Sequence, residues 1–393
     1  MDLTNNKNSS KKIKYCQKCV MPFTKPDLEF YDNNICSACY FYEKRKEVDW
    51  EQRKERFREI FKKNNNPSSS YDCVIPCSGG KDSTYQTLKI LELGYRPLCV
   101  NASTDKLSNL GRYNIENLKK IGVDFIEVST NPIIRRKINK FTLETVGDIS
   151  WAEHITIFTI PIRIAIQFKI PIIVWGENPQ NENGGPLYKK DNHILDRSWL
   201  EEFGGLLGLR SSDIADLMSI NSKDLYLYTY PENDEIKKNK SIGIFLGHFF
   251  PWDGEENAST AIKNGFKKYH KNVEGSIVDY ENLDNVQMRI HDYFKFLKFG
   301  YDRVTDWCCW KIRRDRMTRD EAKNLVRKFG GKFPSTYLGV ELSETLEEID
   351  CSLDEFNLIC NRFTNKKLFK CNNKGELIKD ENQNLILNNS EFA

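Results

Sequence analysis

Long hydrophobic runs are missing from this 393-residue sequence. Its most apolar stretch, residues 155–175, is interrupted by Arg163, Gln167 and Lys169, whereas a membrane-spanning helix needs about 20 apolar residues in succession. Residues 1–16 also lack the apolar segment of a secretory signal peptide. These two absences predict a protein with no membrane span, which we expect to be cytoplasmic.

An excess of charge of either sign is also missing. Lysine and arginine number 59 and aspartate and glutamate 56, which leaves a net charge of +3. A protein dedicated to nucleic acid is usually more basic, so we expect no nucleic-acid partner. Aromatic residues, in contrast, make up 12% of the chain, and this abundance excludes wholesale disorder.

Disulfides are not expected, although the sequence contains 12 cysteines, because cytoplasmic proteins are kept reduced. Four of the cysteines form two Cys-x-x-Cys pairs, Cys16 with Cys19 and Cys36 with Cys39. Two such pairs offer four thiolates to one tetrahedral ion, which is typical of structural Zn²⁺. The spacing therefore predicts a closed zinc site that supports folding or docking. Four free thiols are the alternative.

Changes in composition divide the chain into six segments. We predict, in order, a tail with the zinc module, a charged and solvated linker helix with its linker, an α/β core, an insertion or lid, a completion of the core with C-terminal helices, and a polar C-terminal tail that is loosely ordered from residue 364. The segments are residues 1–42, 43–70, 71–180, 181–240, 241–345 and 346–393.

Short β-branched strands alternate with helices from residue 71 onward. This rhythm is typical of the α/β class, with a parallel sheet that has helices on both faces. The predicted strands are residues 71–76, 96–101, 124–129, 171–175 and 241–249. The predicted helices are residues 81–93, 113–121, 132–169, 283–299 and 318–329.

A glycine-containing loop lies between the first predicted strand and the first predicted helix, with the sequence Ser78-Gly79-Gly80-Lys81-Asp82-Ser83. Ligands of parallel sheets bind beyond the carboxyl ends of the strands, where a helix N-terminus presents free N–H groups to an anion. Glycines let the backbone approach a phosphate closely. The loop is not a Walker A motif, because Lys81 is followed by Asp82. It therefore predicts a phosphate site of a different kind.

The end of the fourth predicted strand carries Gly176, Glu177 and Asn178. This position belongs to the same sheet edge as the glycine loop, because the carboxyl ends of parallel strands lie together. Glu177 is a candidate ligand for magnesium. A glutamate that caps a turn is an equally good interpretation from the sequence.

The glycine loop resembles the SGGxDS pyrophosphate loop of N-type ATP pyrophosphatases. Together with four other blocks, it makes the chain similar to the N-acetyl sugar amidotransferases of bacterial surface-polysaccharide and pseudaminic or legionaminic acid pathways. The similarity spans residues 15–340. The other blocks are the YCxxCVMP opening with the second cysteine pair, Ile170–Asn178 with Glu182 and Gly184-Gly185, Phe249–Asp253, and Ile312–Ala322.

The resemblance implies an ATP-dependent conversion of a sugar acetamido group into an acetamidino group. ATP is needed because an amide oxygen is a poor leaving group. Its attack on the α-phosphate would give an O-adenylyl imidate and pyrophosphate, and ammonia would then displace AMP. The implied cofactors are ATP, Mg²⁺ and structural Zn²⁺, and Lys81 and Asp82 are the implied catalytic residues. The expected ATP-binding residues are Ser78, Gly79, Gly80, Lys81, Asp82, Ser83, Gly176 and Glu177.

Contacts with the sugar are less strongly specified. Cationic groups could pair with a sugar carboxylate or a nucleotide phosphate, so His291 and Arg313 are further candidates. Surface or helix-capping roles are the alternative for each. His154 is expected to be a satisfied core histidine. The expected sugar contacts are Asn178, Glu182, Asp253 and Arg289.

No glutaminase is evident in the sequence, so the resemblance implies a separate glutaminase and a barrel-like subunit that channels ammonia. The main alternative is a tRNA-thiolating enzyme of the same superfamily, which would need a catalytic cysteine or an iron–sulfur cluster. Cys77 and Cys99 are instead expected to be small buried hydrophobes, as are Cys308 and Cys309. A zinc-stapled interaction protein with an inactive nucleotide fold is a second alternative.

Overall fold

The computed structural model describes residues 13–184 and 194–388. Most of the predicted N-terminal tail and Gly185 lie outside these residues. The strands are β1 (Phe30–Tyr31), β2 (Ile35–Cys36), β3 (Cys73–Pro76), β4 (Pro97–Ala102), β5 (Asp124–Val128), β6 (Ile172–Trp175), β7 (Ile194–Leu195), β8 (Ile242–Phe245), β9 (Thr336–Tyr337) and β10 (Val340–Glu341).

The α-helices outnumber the strands. They are α1 (Ser37–Lys44), α2 (Trp50–Lys63), α3 (Lys81–Glu92), α4 (Asn109–Lys120), α5 (Pro132–Val146), α6 (Trp151–Gln167), α7 (Pro179–Asn183), α8 (Arg197–Phe203), α9 (Ser211–Met218), α10 (Asn233–Asn239), α11 (Leu246–Phe249), α12 (Gly254–Lys263), α13 (Met288–Phe299), α14 (Arg303–Arg313), α15 (Arg319–Phe329), α16 (Leu342–Glu347) and α17 (Leu353–Phe363). Among the described residues, no helix is long and apolar enough to cross a membrane.

One six-stranded sheet forms the centre of the molecule, in the order β5-β4-β3-β6-β8-β7. Its first five strands are parallel, and only β7 runs antiparallel to its neighbour β8. The residues of β6 are buried throughout, as expected for a strand covered on both faces. The predicted α/β class is therefore confirmed, although the fifth predicted strand ends at Phe245, where α11 begins.

The strand order reverses between β3 and β6. The chain adds β4 and β5 on one side of β3 and then returns to add β6 and β8 on the other side. Crevices at such a reversal, beyond the carboxyl ends of the strands, are where open α/β sheets bind ligands. The glycine loop follows β3 and Gly176 follows β6, so the topology brings both predicted nucleotide segments to this crevice.

Helices cover both faces of the sheet. On one face, α2 contributes Phe57 and Phe61 to a core that includes Cys73 and Ile75 of β3. On the other face, α6 packs against Val74 and its neighbours. The expectation that residues 43–63 form a solvated linker helix was wrong. Two buried phenylalanines four residues apart are enough to attach a highly charged helix to the sheet.

Residues 346–388 are folded, which corrects the expectation of a loosely ordered tail from residue 364. Helix α17 buries Phe356 in a core shared with α13 and α14. Leu368, Phe369 and Leu385 follow in the same core, and isolated antiparallel bridges connect this stretch. A few buried apolar side chains anchor a segment whose average composition is polar.

The predicted insertion, residues 181–240, is mainly helical where the structure describes it, and it also contains β7. Ile214 of α9, together with Leu225 and Tyr228 of the following 3₁₀ helix, is buried against Trp151 of α6. These contacts attach the segment to the outer face of α6 rather than leaving it as a detached lid.

Candidate active site

The glycine loop connects β3 to the N-terminus of α3. Gly79 has a φ of +83°, and a Cβ at this position would lie 2.7 Å from Cγ1 of Ile115 in α4. Both the backbone conformation and the packing therefore require glycine. The Gly80 amide donates a hydrogen bond to Oγ of Ser78 at 3.2 Å, which tightens the turn. The loop places the first free N–H groups of α3 at the mouth of the crevice.

Two cavities meet beside this loop. The first, of about 460 Å³, lies at the carboxyl ends of β3, β4 and β6, and we call it the strand-end cavity. The second, of about 470 Å³, is lined by three tryptophans, and we call it the tryptophan cavity. Residues of the strand-end cavity include Ser78, Ser83, Asn101, Ser103 and Gly176. Residues of the tryptophan cavity include Trp252, Glu281, Trp307, Trp310 and Lys311.

Asp82 and Glu177 line both cavities. Asp82 is on the first turn of α3 and accepts a hydrogen bond from Nδ2 of Asn257 at 2.8 Å. Glu177 follows Gly176, which is the first residue after β6. Burial, with repulsion from Asp82, raises the pKa of Glu177 to about 7. Two carboxylates thus lie at the boundary between the cavities, one of them close to half-protonated near neutral pH.

Lys81 provides a positive charge beside this boundary. It is 5% exposed, is ion-paired with Asp82, and lies 3.2 Å from Oε2 of Glu281. Burial lowers the pKa of Lys81, but attraction to Asp82 and Glu281 outweighs it and leaves the pKa above its ordinary value. The ammonium group is therefore charged and positioned beside the loop.

Asp253 and Glu182 line the tryptophan cavity, as expected of sugar contacts. Their carboxylates are already paired, however. Glu182 forms ion pairs with Arg45 and Arg314, the latter at 2.7 Å, and Asp253 pairs with Arg314 at 3.1 Å and with Arg316. Asp253 also caps the N-terminus of α12. The structure thus places both residues in an ionic network that shapes the wall of the cavity.

Asn178 and Arg289 are placed differently from the other predicted sugar contacts. Asn178 is buried, and its carbonyl accepts the Glu182 amide at 3.1 Å. Arg289 is buried in α13 and donates to the carbonyl of Lys332. Neither residue lines the two cavities. The structure does not bring Arg289 together with the rest of the site.

Two histidines reach the tryptophan cavity. His291 lies 2.9 Å from Asp148 through Nδ1, and His154 lies next to it with its ring edge-on at 5.0 Å between centroids. Burial lowers the pKa of His154 to about 4, so this ring is neutral at physiological pH. His154 is therefore a cavity-wall residue rather than the plain core histidine expected from the sequence.

Several cavity residues carried no sequence signal. Glu281, Lys311, Arg303 and Trp307 belong to no short motif. Cys308 and Cys309 are fully buried, as predicted. Periodicity could have placed Trp307 and Lys311 on one face of α14, since they are four residues apart. Nothing in the local sequence places Glu281 beside Lys81.

The four paired cysteines converge in the N-terminal module. All four are buried, and their sulfur atoms lie within 4.8 Å of one another. The Cys19 and Cys36 sulfurs are 3.7 Å apart, close to the edge of about 3.8 Å of a tetrahedron with Zn–S bonds of about 2.3 Å. The Cys36 amide donates to the Cys16 sulfur at 3.3 Å. The donor set therefore fits structural Zn²⁺.

Arg319 attaches this module to the C-terminal region. Its guanidinium donates to the carbonyls of Cys19 at 3.0 Å and Cys16 at 3.2 Å. The cysteines also share a hydrophobic core with α13 and α14. The module is thus packed into the molecule rather than held away from it.

Comparison with known families identifies the C-terminal region. Residues 263–381 match the family model described as "LPS biosynthesis protein WbpG-like, C-terminal domain". This stretch is similar to that C-terminal domain, and we call it the WbpG-like domain. It supplies Glu281, Arg303, Trp307 and Lys311 to the tryptophan cavity. It also contains α17.

Solved structures with a distant likeness include an NMN synthetase from Francisella tularensis (12% identity, 55% of this chain and 96% of the other, TM-score 0.27). An NH₃-dependent NAD synthetase from Campylobacter jejuni subsp. jejuni has 12% identity over 56% of this chain and 97% of its own, with a TM-score of 0.28. At such low TM-scores, neither likeness bears on what this chain does. None of the curated proteins matches the chain in sequence.

Proposed function

We propose that this protein is an ATP-dependent amidotransferase that converts an acetamido group of a sugar into an acetamidino group. The substrate class is a nucleotide sugar or a nonulosonic acid used for surface polysaccharide. The observation that carries the proposal is the shared wall formed by Asp82 and Glu177. This wall joins a cavity beside a pyrophosphate-type loop to a second cavity large enough for a sugar.

ATP would occupy the strand-end cavity, with its β- and γ-phosphates on the Ser78–Ser83 loop. The amide oxygen of the sugar would attack the α-phosphorus from the tryptophan cavity. The bond between the α-phosphorus and its bridging oxygen to the β-phosphate breaks, and pyrophosphate leaves. Lys81 and the N-terminus of α3 stabilise the negative charge that develops on the leaving group. The product of this step is an O-adenylyl imidate.

Ammonia would then attack the imidate carbon. The carbon–oxygen bond breaks, and AMP leaves with the former amide oxygen, so that NH replaces O in the sugar. The attacking ammonia must lose a proton. Glu177, with its pKa near 7 and its position on the shared wall, is the group placed to accept this proton.

Magnesium would be held by carboxylates at the same wall. Asp82 and Glu281 are paired with Lys81, and hard oxygen donors of this kind suit Mg²⁺. When bound, the ion would neutralise charge on the phosphates of ATP. Glu281 comes from the WbpG-like domain, so this domain would take part in ATP activation as well as in shaping the sugar cavity.

Ammonia would come from a separate glutaminase and a channelling barrel subunit, as the family resemblance implies. The competing function is tRNA thiolation, which needs an accessible reactive sulfur. The Cys77 thiol lies 3.3 Å from the carbonyl of Ile75 and 3.8 Å from Oγ1 of Thr87, and burial raises its pKa well above the ordinary value. These features describe an inert core thiol.

The test is to incubate the protein with ATP, Mg²⁺, an ammonium salt and a panel of acetamido sugars, and to follow AMP and sugar mass together. We expect AMP release coupled to a product that is lighter by the difference between O and NH. Omission of ammonia is the control and should abolish the mass change. AMP release that requires tRNA and leaves every sugar unchanged would favour the thiolating alternative. If glutamine with the partner subunits also gives no AMP, the proposal is wrong.

A further inference from the structure

The N-terminal cysteine module reaches into the tryptophan cavity. Between the two cysteine pairs, the loop of Lys25, Pro26 and Asp27 forms part of the cavity wall. Oγ1 of Thr24 donates to the carbonyl of Phe299 at 2.5 Å, which attaches the loop to the C-terminal end of α13. The loop is therefore held at the cavity by a direct hydrogen bond.

Most basic groups at this end of the cavity have an anionic partner. Lys295 lies 2.7 Å from Asp306, and Arg303 lies 3.3 Å from Asp292. His291 is paired with Asp148. Each of these charges is balanced within the protein, so none of them requires an anion from a ligand.

Lys25 and Lys298 differ from these groups. Lys298 donates only to an uncharged acceptor, the carbonyl of Val146 at 2.7 Å. Lys25 makes no ion pair or side-chain hydrogen bond with any residue in ranges 13–184 and 194–388. Both lysines line the tryptophan cavity, and Phe299, to which the Lys25 loop is attached, directly follows Lys298 in the chain.

The surroundings of the two lysines disfavour their charge. Burial lowers the pKa of Lys25, and burial also lowers the pKa of Lys298. Asp306 and Asp27 attract the Lys25 charge only in part, because Asp306 is already paired with Lys295. An anionic ligand group beside the Lys25 loop would compensate the Lys25 cation.

We propose that Lys25 binds an anionic group of the sugar substrate, either a carboxylate or a phosphate. Lys25 is then a specificity-determining residue, and the cysteine module is part of the substrate site rather than only a docking surface. The inference rests on the proposed function, because it assigns the sugar to the tryptophan cavity.

The test measures binding without ATP or ammonia, by quenching of the tryptophan fluorescence expected from Trp252, Trp307 and Trp310. The probes are UDP-N-acetylglucosamine, the corresponding UDP-linked uronic acid, and free N-acetylglucosamine. The variants are Lys25→Met, Lys25→Arg and, as a matched control, Lys14→Met, which alters an exposed lysine of the same module. Melting temperature and zinc content are measured for each variant, to show that the module remains folded.

We expect Lys25→Met to weaken binding of a charged probe about tenfold, the effect of losing one charge-assisted hydrogen bond. Lys25→Arg should restore most of the affinity, and Lys14→Met should bind as the wild type does. If Lys25→Met loses affinity only for the UDP-linked uronic acid, the group that Lys25 binds is a carboxylate. Equal loss for both UDP sugars, with no change for the free sugar, identifies a phosphate.

Two outcomes overturn the assignment. In the first, Lys25→Met binds every probe as the wild type does or loses the uncharged sugar equally. In the second, the wild type binds neither charged probe more tightly than the free sugar. Because no turnover is needed, a protein that shows the expected charge selectivity but forms no amidine would disprove the proposed reaction and leave the Lys25 assignment standing.

Discussion

The two cavities that meet at Asp82 and Glu177 are built in opposite ways. Most of the strand-end cavity comes from short segments that immediately follow parallel strands, although these segments are spread from Pro76 to Trp175 and beyond. The tryptophan cavity takes Lys25, Trp252 and Glu281 from segments separated by more than half of the chain. The strand pattern of the sequence locates much of the first cavity, whereas packing between unrelated segments creates the second.

The largest expected effect is on the shared wall. Asp82→Asn should lower AMP formation by about 100-fold or more, since it removes a preorganised charge beside Lys81. Glu92→Gln, at the exposed end of the same helix, is the matched control and should retain full activity. Both are measured as initial rates of AMP formation at saturating ATP. Near-normal activity of Asp82→Asn would mean that the wall between the cavities is not the reaction centre.

The cysteine module gives the next largest effect, in this case on stability. Cys16→Ser should abolish zinc binding and reduce the free energy of unfolding by about 3 kcal/mol or more, because metal binding and folding are coupled. Zinc content and denaturant unfolding report the two quantities. Cys371→Ser, a half-buried cysteine outside the cluster, should change neither. Full zinc content in Cys16→Ser would show that the four thiols do not form one site.

The raised pKa of Glu177 predicts that the activity depends on the protonation of this one carboxylate of the wall. Glu177 acts as a carboxylate, so activity should fall as pH decreases through about 7 and this group becomes protonated. Glu177→Gln should be slower and should lose this inflection. The measurement is the pH profile of kcat/KM for the sugar between pH 5.5 and 9 (a range of about three units around the pKa). An unchanged inflection in the variant would assign it to another group.

The smallest effect on function is expected at Arg289, which lies outside both cavities. Arg289→Met should leave the KM for the sugar unchanged while it lowers the free energy of unfolding by about 1–3 kcal/mol, because the Lys332 carbonyl loses its buried donor. Kinetics with the sugar and thermal unfolding check the two parts. A raised KM at normal stability would return Arg289 to the substrate site.

Local patterns predicted much of the core. The strand–loop–helix of the glycine loop, the parallel sheet and the paired cysteines all depend on spacing within short segments, and the structure places them as expected. The burial of the charged helix α2 was not predicted, because its many charged residues outweighed its narrow apolar stripe in the interpretation of the sequence. Its two buried phenylalanines contribute more to stability than its exposed lysines and glutamates, whose surface ion pairs are worth little.

The candidate site was predicted less completely than the fold. Lys81 and Asp82 were predicted from the resemblance of their loop to a pyrophosphate loop, and Glu177 was predicted because it follows a strand. Glu182 and Asp253 were predicted to contact the sugar. The sequence did not predict that their carboxylates are already paired with Arg45 and Arg314. Those partners are far away in the chain, and no local rule connects them.

By itself, the sequence determined the class of the fold, the position of the glycine loop and the grouping of the four N-terminal cysteines, because each follows from hydrogen bonding, periodicity or spacing over a few residues. Only the tertiary structure decided which side chains face Asp82 and Glu177 across the tryptophan cavity. Packing brings Glu281 to Lys81 and carries the Lys25 loop to the end of α13. Such contacts arise from the burial of apolar surface between distant segments, and burial has no fixed spacing along a chain.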